Sequence, residues 1–188
     1  MALERNEQLM TFAEYRELPE GCYNLIEGHL IMTPAPSLWH QCLSSRLNDA
    51  LKAYVSSRNL GWVYYAPLDV ILSETFPPIV MQPDVLFVAR DGEAQRTSKG
   101  IAGPPALVIE VLSPSNQSLD AIKKRALYER FGVQEYWMVL PDMAQVEVLR
   151  REGERFARPL LLEAPDVLAT PLLPGFGLDL AGLFAPED

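Results

Sequence analysis

A glutamate stands inside an otherwise apolar run, Ala106-Leu107-Val108-Ile109-Glu110-Val111-Leu112. The run is aliphatic and β-branched, with Gly103-Pro104-Pro105 before it and Ser113-Pro114-Ser115-Asn116 after it, so it reads as a buried strand. Alternation puts Ala106, Val108, Glu110 and Leu112 on one face and Leu107, Ile109 and Val111 on the other. An ionised carboxylate taken out of water costs several kcal/mol unless a charge or a metal answers it. Upstream, Pro83-Asp84-Val85-Leu86-Phe87-Val88 begins a second apolar strand with an acid at its mouth, and downstream come Lys123 and Lys124. Two strand carboxylates can converge on a Mg²⁺, which takes oxygen ligands and keeps several waters. With a lysine nearby, they form the set of groups used by metal-dependent phosphodiesterases.

Each of these residues has a plainer reading. Asp84 after Pro83 is ordinary turn chemistry. Glu110 is equally well answered by a salt bridge to a core-facing Lys or Arg. Lys124 suits a helix surface, paired with Asp120 one turn earlier. Against that, Lys124 shares a helix face with Leu127, Tyr128 and Phe131, which directs its stem inward. An ammonium there can orient an attacking water or stabilise a phosphorane-like charge. Lys123, about 100° around the helix, reads as a solvated neighbour that contacts phosphate, and Arg125 is assigned the same role. His29, His40, Cys22 and Cys42 match no zinc-site spacing. No Gly-rich phosphate loop, nucleophile elbow or Walker pattern is present.

The 188 residues, 48% apolar and 22% charged, fit one domain over residues 1–188 with a full core. No apolar stretch approaches the ~20 residues needed to span a bilayer, and the first residues are no signal peptide. With Cys22 and Cys42 as the two cysteines, a cytoplasmic protein without structural disulfides is expected. The net charge of −9 argues against a general coat of positive charge for nucleic acid. Yet 11 of the 16 Lys and Arg fall between residues 90 and 158, which allows a local basic lip around an acidic cleft.

Thr11-Phe12-Ala13-Glu14 is a capping box for a short helix, and 22–26 with 29–32 reads as a hairpin turning at Glu27-Gly28. A long helix is predicted from Ser37 to about Arg58, then strands over 61–65, 68–72, 84–89 and 106–112. Ser118 is the expected cap of a helix that runs through Phe131 and stops at Gly132. A buried strand follows at 135–140, then an outer hairpin over 146–151 and 156–162, and a short helix at 179–184. The order predicts an α/β fold with a mixed sheet flanked by helices, the strands at 106–112 and 135–140 being parallel neighbours.

The strings Pro83-Asp84-Val85, Glu110-Val111-Leu112-Ser113-Pro114-Ser115, Lys124-x₃-Tyr128 and Gly132-Val133-Gln134-Glu135-Tyr136-Trp137 resemble the Uma-two endonuclease-like family, a branch of the PD-(D/E)xK nuclease superfamily. The resemblance runs over nearly the whole chain. It implies a restriction-endonuclease-like core and a Mg²⁺-dependent endonuclease, with Mn²⁺ as an alternative ion, that hydrolyses phosphodiester bonds in DNA. It implies Asp84 and Glu110 as metal ligands, with the Val111 carbonyl as a third. The superfamily's usual lysine lies two residues after the glutamate, where this chain has Leu112; Lys124, on the following helix, fits the role instead. Position 24 is Asn where relatives often have Glu, which leaves Glu27 as the accessory acid of the hairpin. His40 matches a histidine common in the family, with no chemical role assigned. Nuclease folds of this kind often pair, and Tyr136, Trp137 and the proline-rich tail would serve a homodimer. The alternative is a non-catalytic protein that keeps the fold to bind nucleic acid or a protein partner, which the acidic balance suits.

Overall fold

The computed structural model describes residues 9–19, 21–33, 35–112 and 119–186. The chain opens with a one-turn helix, α1 (Phe12–Tyr15), and a hairpin of β1 (Tyr23–Ile26) and β2 (His29–Met32). The Thr11 hydroxyl accepts the Glu14 N–H while the Glu14 carboxylate accepts the Thr11 N–H, which completes the capping box. The long helix α2 (Leu38–Arg58) begins where the Ser37 hydroxyl accepts the His40 N–H, and ends at Asn59 in the left-handed region. Then come β3 (Gly61–Tyr65), β4 (Val70–Ser73), β5 (Ile79–Met81), β6 (Val85–Ala89), β7 (Gln95–Thr97), β8 (Gly100–Ala102) and β9 (Leu107–Val111). Helix α3 (Leu119–Phe131) leads to β10 (Glu135–Leu140) and β11 (Gln145–Glu152). The short strands β12 (Arg155–Phe156), β13 (Leu160–Glu163), β14 (Val167–Leu168) and β15 (Leu178–Asp179) precede α4 (Leu180–Leu183).

The strands make two large sheets. One runs β12-β11-β10-β9-β6-β3, with β13 also on β11. The other runs β2-β1-β5-β4-β8-β7. In the first, β9 is parallel to β10 and antiparallel to β6, so it lies in the interior and is buried on both faces. A strand in that place reads as a continuous apolar run, which is why Glu110 stands out in it.

Alternation along β9 divides the core. Leu107, Ile109 and Val111 join Leu43, Leu47, Leu51 and Val55 of α2 on one side. Val108 and Leu112 join Leu127 and Tyr128 of α3 on the other, together with Val70, Ile79 and Ile101 of the second sheet. The second sheet therefore packs against the α3 side of the first, and α1 covers its outer face around Tyr15, Leu25, Ile71 and Val80.

The mixed sheet, flanking helices and terminal hairpins agree with the sequence. The difference is the second sheet: the N-terminal hairpin is not an appendage of a single sheet but one side of another. Its strands β5, β7 and β8 are three residues each, too short to carry a readable period. The strand expected over 156–162 is divided into β12 and β13. Gly132, in the left-handed region, ends α3 as expected. The expected cap at Ser118 lies outside the described residues. No helix among the described residues is long and apolar enough to cross a membrane.

Candidate active site

Glu110 faces α3. Its Oε2 accepts from Lys124 Nζ at 2.7 Å and its Oε1 from the Tyr128 hydroxyl at 2.7 Å. All three side chains are buried. Lys124 and Tyr128 are four residues apart, so one helix face delivers both donors. The ion-pair reading of Glu110 is thus realised in the geometry, and the partner is the lysine singled out from the sequence, not a surface one. Lys123 is exposed and Arg125 half-buried.

Asp84 immediately precedes β6. The register pairs Val85 with Ile109 and Leu86 with Val108, so one step further back Asp84 comes level with Glu110, on the same face. Its Oδ2 accepts the Val111 N–H at 2.7 Å and lies 3.2 Å from His40 Nε2. Its other oxygen, Oδ1, accepts no protein hydrogen bond among the described residues. The Leu112 N–H donates to Val139 O, so the N–H and carbonyl of Val111 point to the opposite edge of β9, towards Asp84. His40 reaches the site from the first turn of α2.

The electrostatics follow from this crowding. Burial raises the Glu110 pKa; the Lys124 ammonium pulls it down, and the Asp84 carboxylate pushes it up again, leaving it above the usual carboxylate range. The Tyr128 hydroxyl is held far above its ordinary value by burial and by Glu110, so it stays a donor. Burial alone would lower the His40 pKa, but the bond and charge of Asp84, together with the Val111 backbone and the Glu110 charge, outweigh it and raise it. His40 Nδ1 is buried with no hydrogen-bond partner.

One other expected participant lies elsewhere. Glu27, at the exposed hairpin turn, faces Arg130 of α3 at 3.6 Å. Asn24 is buried and structural: its Oδ1 accepts the Gln82 N–H at 2.8 Å and its Nδ2 donates to Thr33 at 3.4 Å. Tyr128, read from the sequence as part of the apolar helix face, joins the candidate site through its hydroxyl. Its spacing from Lys124 was the available signal.

Among the described residues no group of three or more His, Cys, Asp or Glu is arranged to hold a metal. A zinc-like cage is therefore not built here. A hard cation that keeps most of its waters needs less: one or two carboxylates and a carbonyl. The open Oδ1 of Asp84, the repulsion between Asp84 and Glu110, and the direction of the Val111 carbonyl form a donor set that fits such an ion.

A family model described as "Uma2: Putative restriction endonuclease" matches residues 12–181. The chain belongs to the Uma2 family. That family is part of the PD-(D/E)xK restriction-endonuclease-like superfamily. A solved structure from Anabaena variabilis, described as "a putative nuclease belonging to DUF820", superposes with a TM-score of 0.77 at 22% identity, covering 93% of this chain and 97% of that one. At that identity the likeness concerns the fold, which the Uma2 chain shares over 93% of its length. No curated protein matches the chain.

Proposed function

We propose that this Uma2 protein is a Mg²⁺-dependent endonuclease that hydrolyses phosphodiester bonds in DNA. The observation that carries the reading is convergence: Glu110 lies 2.7 Å from Lys124, and Asp84 is hydrogen-bonded at 2.7 Å to the residue after Glu110. Asp84, Glu110 and the Val111 carbonyl would hold the ion, with Mn²⁺ as a substitute. When bound, such an ion offsets phosphate charge and acidifies water. His40 and the Val111 N–H fix Asp84 Oδ2 and leave Oδ1 without a protein donor among the described residues. Tyr128 and Lys124 fix Glu110, and an ammonium held there orients an attacking water or meets charge developing on the phosphate. Lys123 and Arg125 are assigned to phosphate contacts outside the centre.

Calorimetry tests the metal assignment. Mg²⁺ or Mn²⁺ should bind the wild type and should bind neither Asp84→Asn nor Glu110→Gln; equal binding by all three sinks the assignment. Lys124→Ala should keep the metal and lose about a hundredfold or more in DNA cleavage. One observation favours a non-catalytic reading, in which the fold serves binding alone: both Glu110 oxygens already have protein donors. A wild type that binds no metal and cuts no DNA would decide for that reading.

A further inference from the structure

A groove of about 1130 Å³ opens between α1 and the turn joining β7 to β8. Its walls carry Arg16, Arg96 and Lys99, all exposed, and the half-buried rings of Tyr23 and Tyr64. Among the described residues no carboxylate lies within ion-pair distance of these three cations. That is notable on a chain of net charge −9. Two acids also line the groove: Asp69, whose Oδ1 accepts from the Tyr15 hydroxyl at 2.9 Å and from Gln82 Nε2 at 2.8 Å, and the exposed Glu74. Arg96 is held in place, with its guanidinium 4.3 Å from the centre of the Trp62 ring.

The groove is lined by none of His40, Asp84, Glu110, Lys124 and Tyr128, but it reaches the backbone neighbours of Asp84. Pro67 lines it, and the preceding Ala66 N–H donates to Asp84 O at 3.0 Å. Gln82 lines it two residues before Asp84. Tyr64 is paired with Leu86, two residues after Asp84.

We infer that this groove holds a short single-stranded stretch of nucleic acid, with phosphates on Arg16, Arg96 and Lys99 and a base on the Tyr64 ring. The inference deepens the nuclease reading, and rests on it for the idea that the strand runs on to Asp84 and Glu110. Unpaired cations beside aromatic faces are what a single strand uses: phosphates take the charge and bases stack without regard to sequence. A duplex footprint of six to ten phosphate contacts needs more positive surface than three side chains supply.

The test is anisotropy of a labelled oligothymidylate with the full chain in chelator, so that neither metal nor cleavage enters. The wild type should bind with a log–log salt slope of about −2, from three contacts at about 0.7 each. Arg96→Ala with Lys99→Ala should weaken binding about tenfold at low salt and flatten the slope to about −0.7. Tyr64→Leu should weaken it about fivefold or more with the slope unchanged. A wild type that binds no oligonucleotide, or a double variant that binds as the wild type does, overturns the inference. So does a duplex that binds more tightly than the single strand, or a polyglutamate peptide that displaces the strand while Tyr64→Leu changes nothing. The two readings separate cleanly. A protein that binds metal and cuts DNA but ignores the Arg96 and Lys99 changes loses only the groove. One that binds the strand through the groove, yet takes no metal and cuts nothing, loses only the nuclease.

Discussion

Glu110 and Glu135 lie on adjacent parallel strands, and both are sealed from solvent. Glu135, at the start of β10, faces the α2 side with Trp137. It accepts from the Trp137 indole at 2.8 Å, the Thr170 hydroxyl at 2.6 Å and Arg150 Nε at 3.4 Å. Those donors come from its own strand, from the neighbouring strand and from the C-terminal segment, so the carboxylate ties three parts of the chain together. Glu110, near the other end of β9, takes both donors from one helix and has a second carboxylate close enough to disfavour its charge. A buried acid kept for stability gathers donors, as Glu135 does. Glu110, placed beside a second acid, is the carboxylate on which the proposed metal reading rests.

The contrast can be broken most directly through stability. Either glutamate changed to Gln leaves a buried cation or hydroxyl without its carboxylate, and each should cost about 3 kcal/mol on urea unfolding. For a Glu110 held in a partly apolar cleft without metal, the sequence suggests a neutral or stabilising change; the buried Lys124 reverses that expectation. A loss above about 3 kcal/mol favours the structural ion-pair reading of Glu110. The double change Glu110→Leu with Lys124→Met should then recover most of the loss, since replacing a whole buried pair is far cheaper than halving it. A Glu110→Gln protein as stable as the wild type would show that Lys124 does not depend on the pair.

Metal sharpens the same contrast. At a hundred times its dissociation constant, Mg²⁺ should stabilise the wild type by about 2.7 kcal/mol. Glu135→Gln should keep that gain in thermal unfolding and Glu110→Gln should lose it. Equal gains in both variants would place the ion elsewhere.

A smaller effect belongs to His40 in metal-free protein. Its folded pKa is raised above 6.5, so the stability it contributes is complete below that value and is lost as pH rises through the folded pKa. The difference in unfolding free energy between wild type and His40→Gln should therefore be largest in mild acid and shrink as pH rises. A difference that grows with pH would contradict the His40–Asp84 pair. Least of all, Lys123→Ala should leave metal binding and stability unchanged and lower DNA affinity slightly, with a salt slope less steep by about 1.

Much of the frame was legible because it is long and periodic. The α2 stripe of Leu43, Leu47, Leu51 and Val55, the parallel pair β9–β10 and the inward turn of Lys124 all follow from spacing. The second sheet was not legible, since strands such as Gln95–Thr97 are short, exposed and carry no pattern. At the site, Asp84, Glu110 and Lys124 could be named because each breaks a local rule or shares a face. The pairing of His40 with Asp84 could not, because it joins residues 44 positions apart at the end of a sheet. Tyr128 was hidden for the opposite reason: an aromatic on an apolar helix face reads as packing, and only its hydroxyl distinguishes it.

The register of β9 against β6 has a consequence for how the chain finds its fold. A slip of one residue turns every side chain of a strand to the other face. Glu110 would then enter the aliphatic layer of Leu43, Leu47 and Leu51, with no lysine or tyrosine to meet it, while Ile109 or Val111 would face Lys124. The neighbouring pairings are therefore penalised by the same carboxylate that is tolerated in the native one. A residue that looks like a burden on the core acts as its alignment mark.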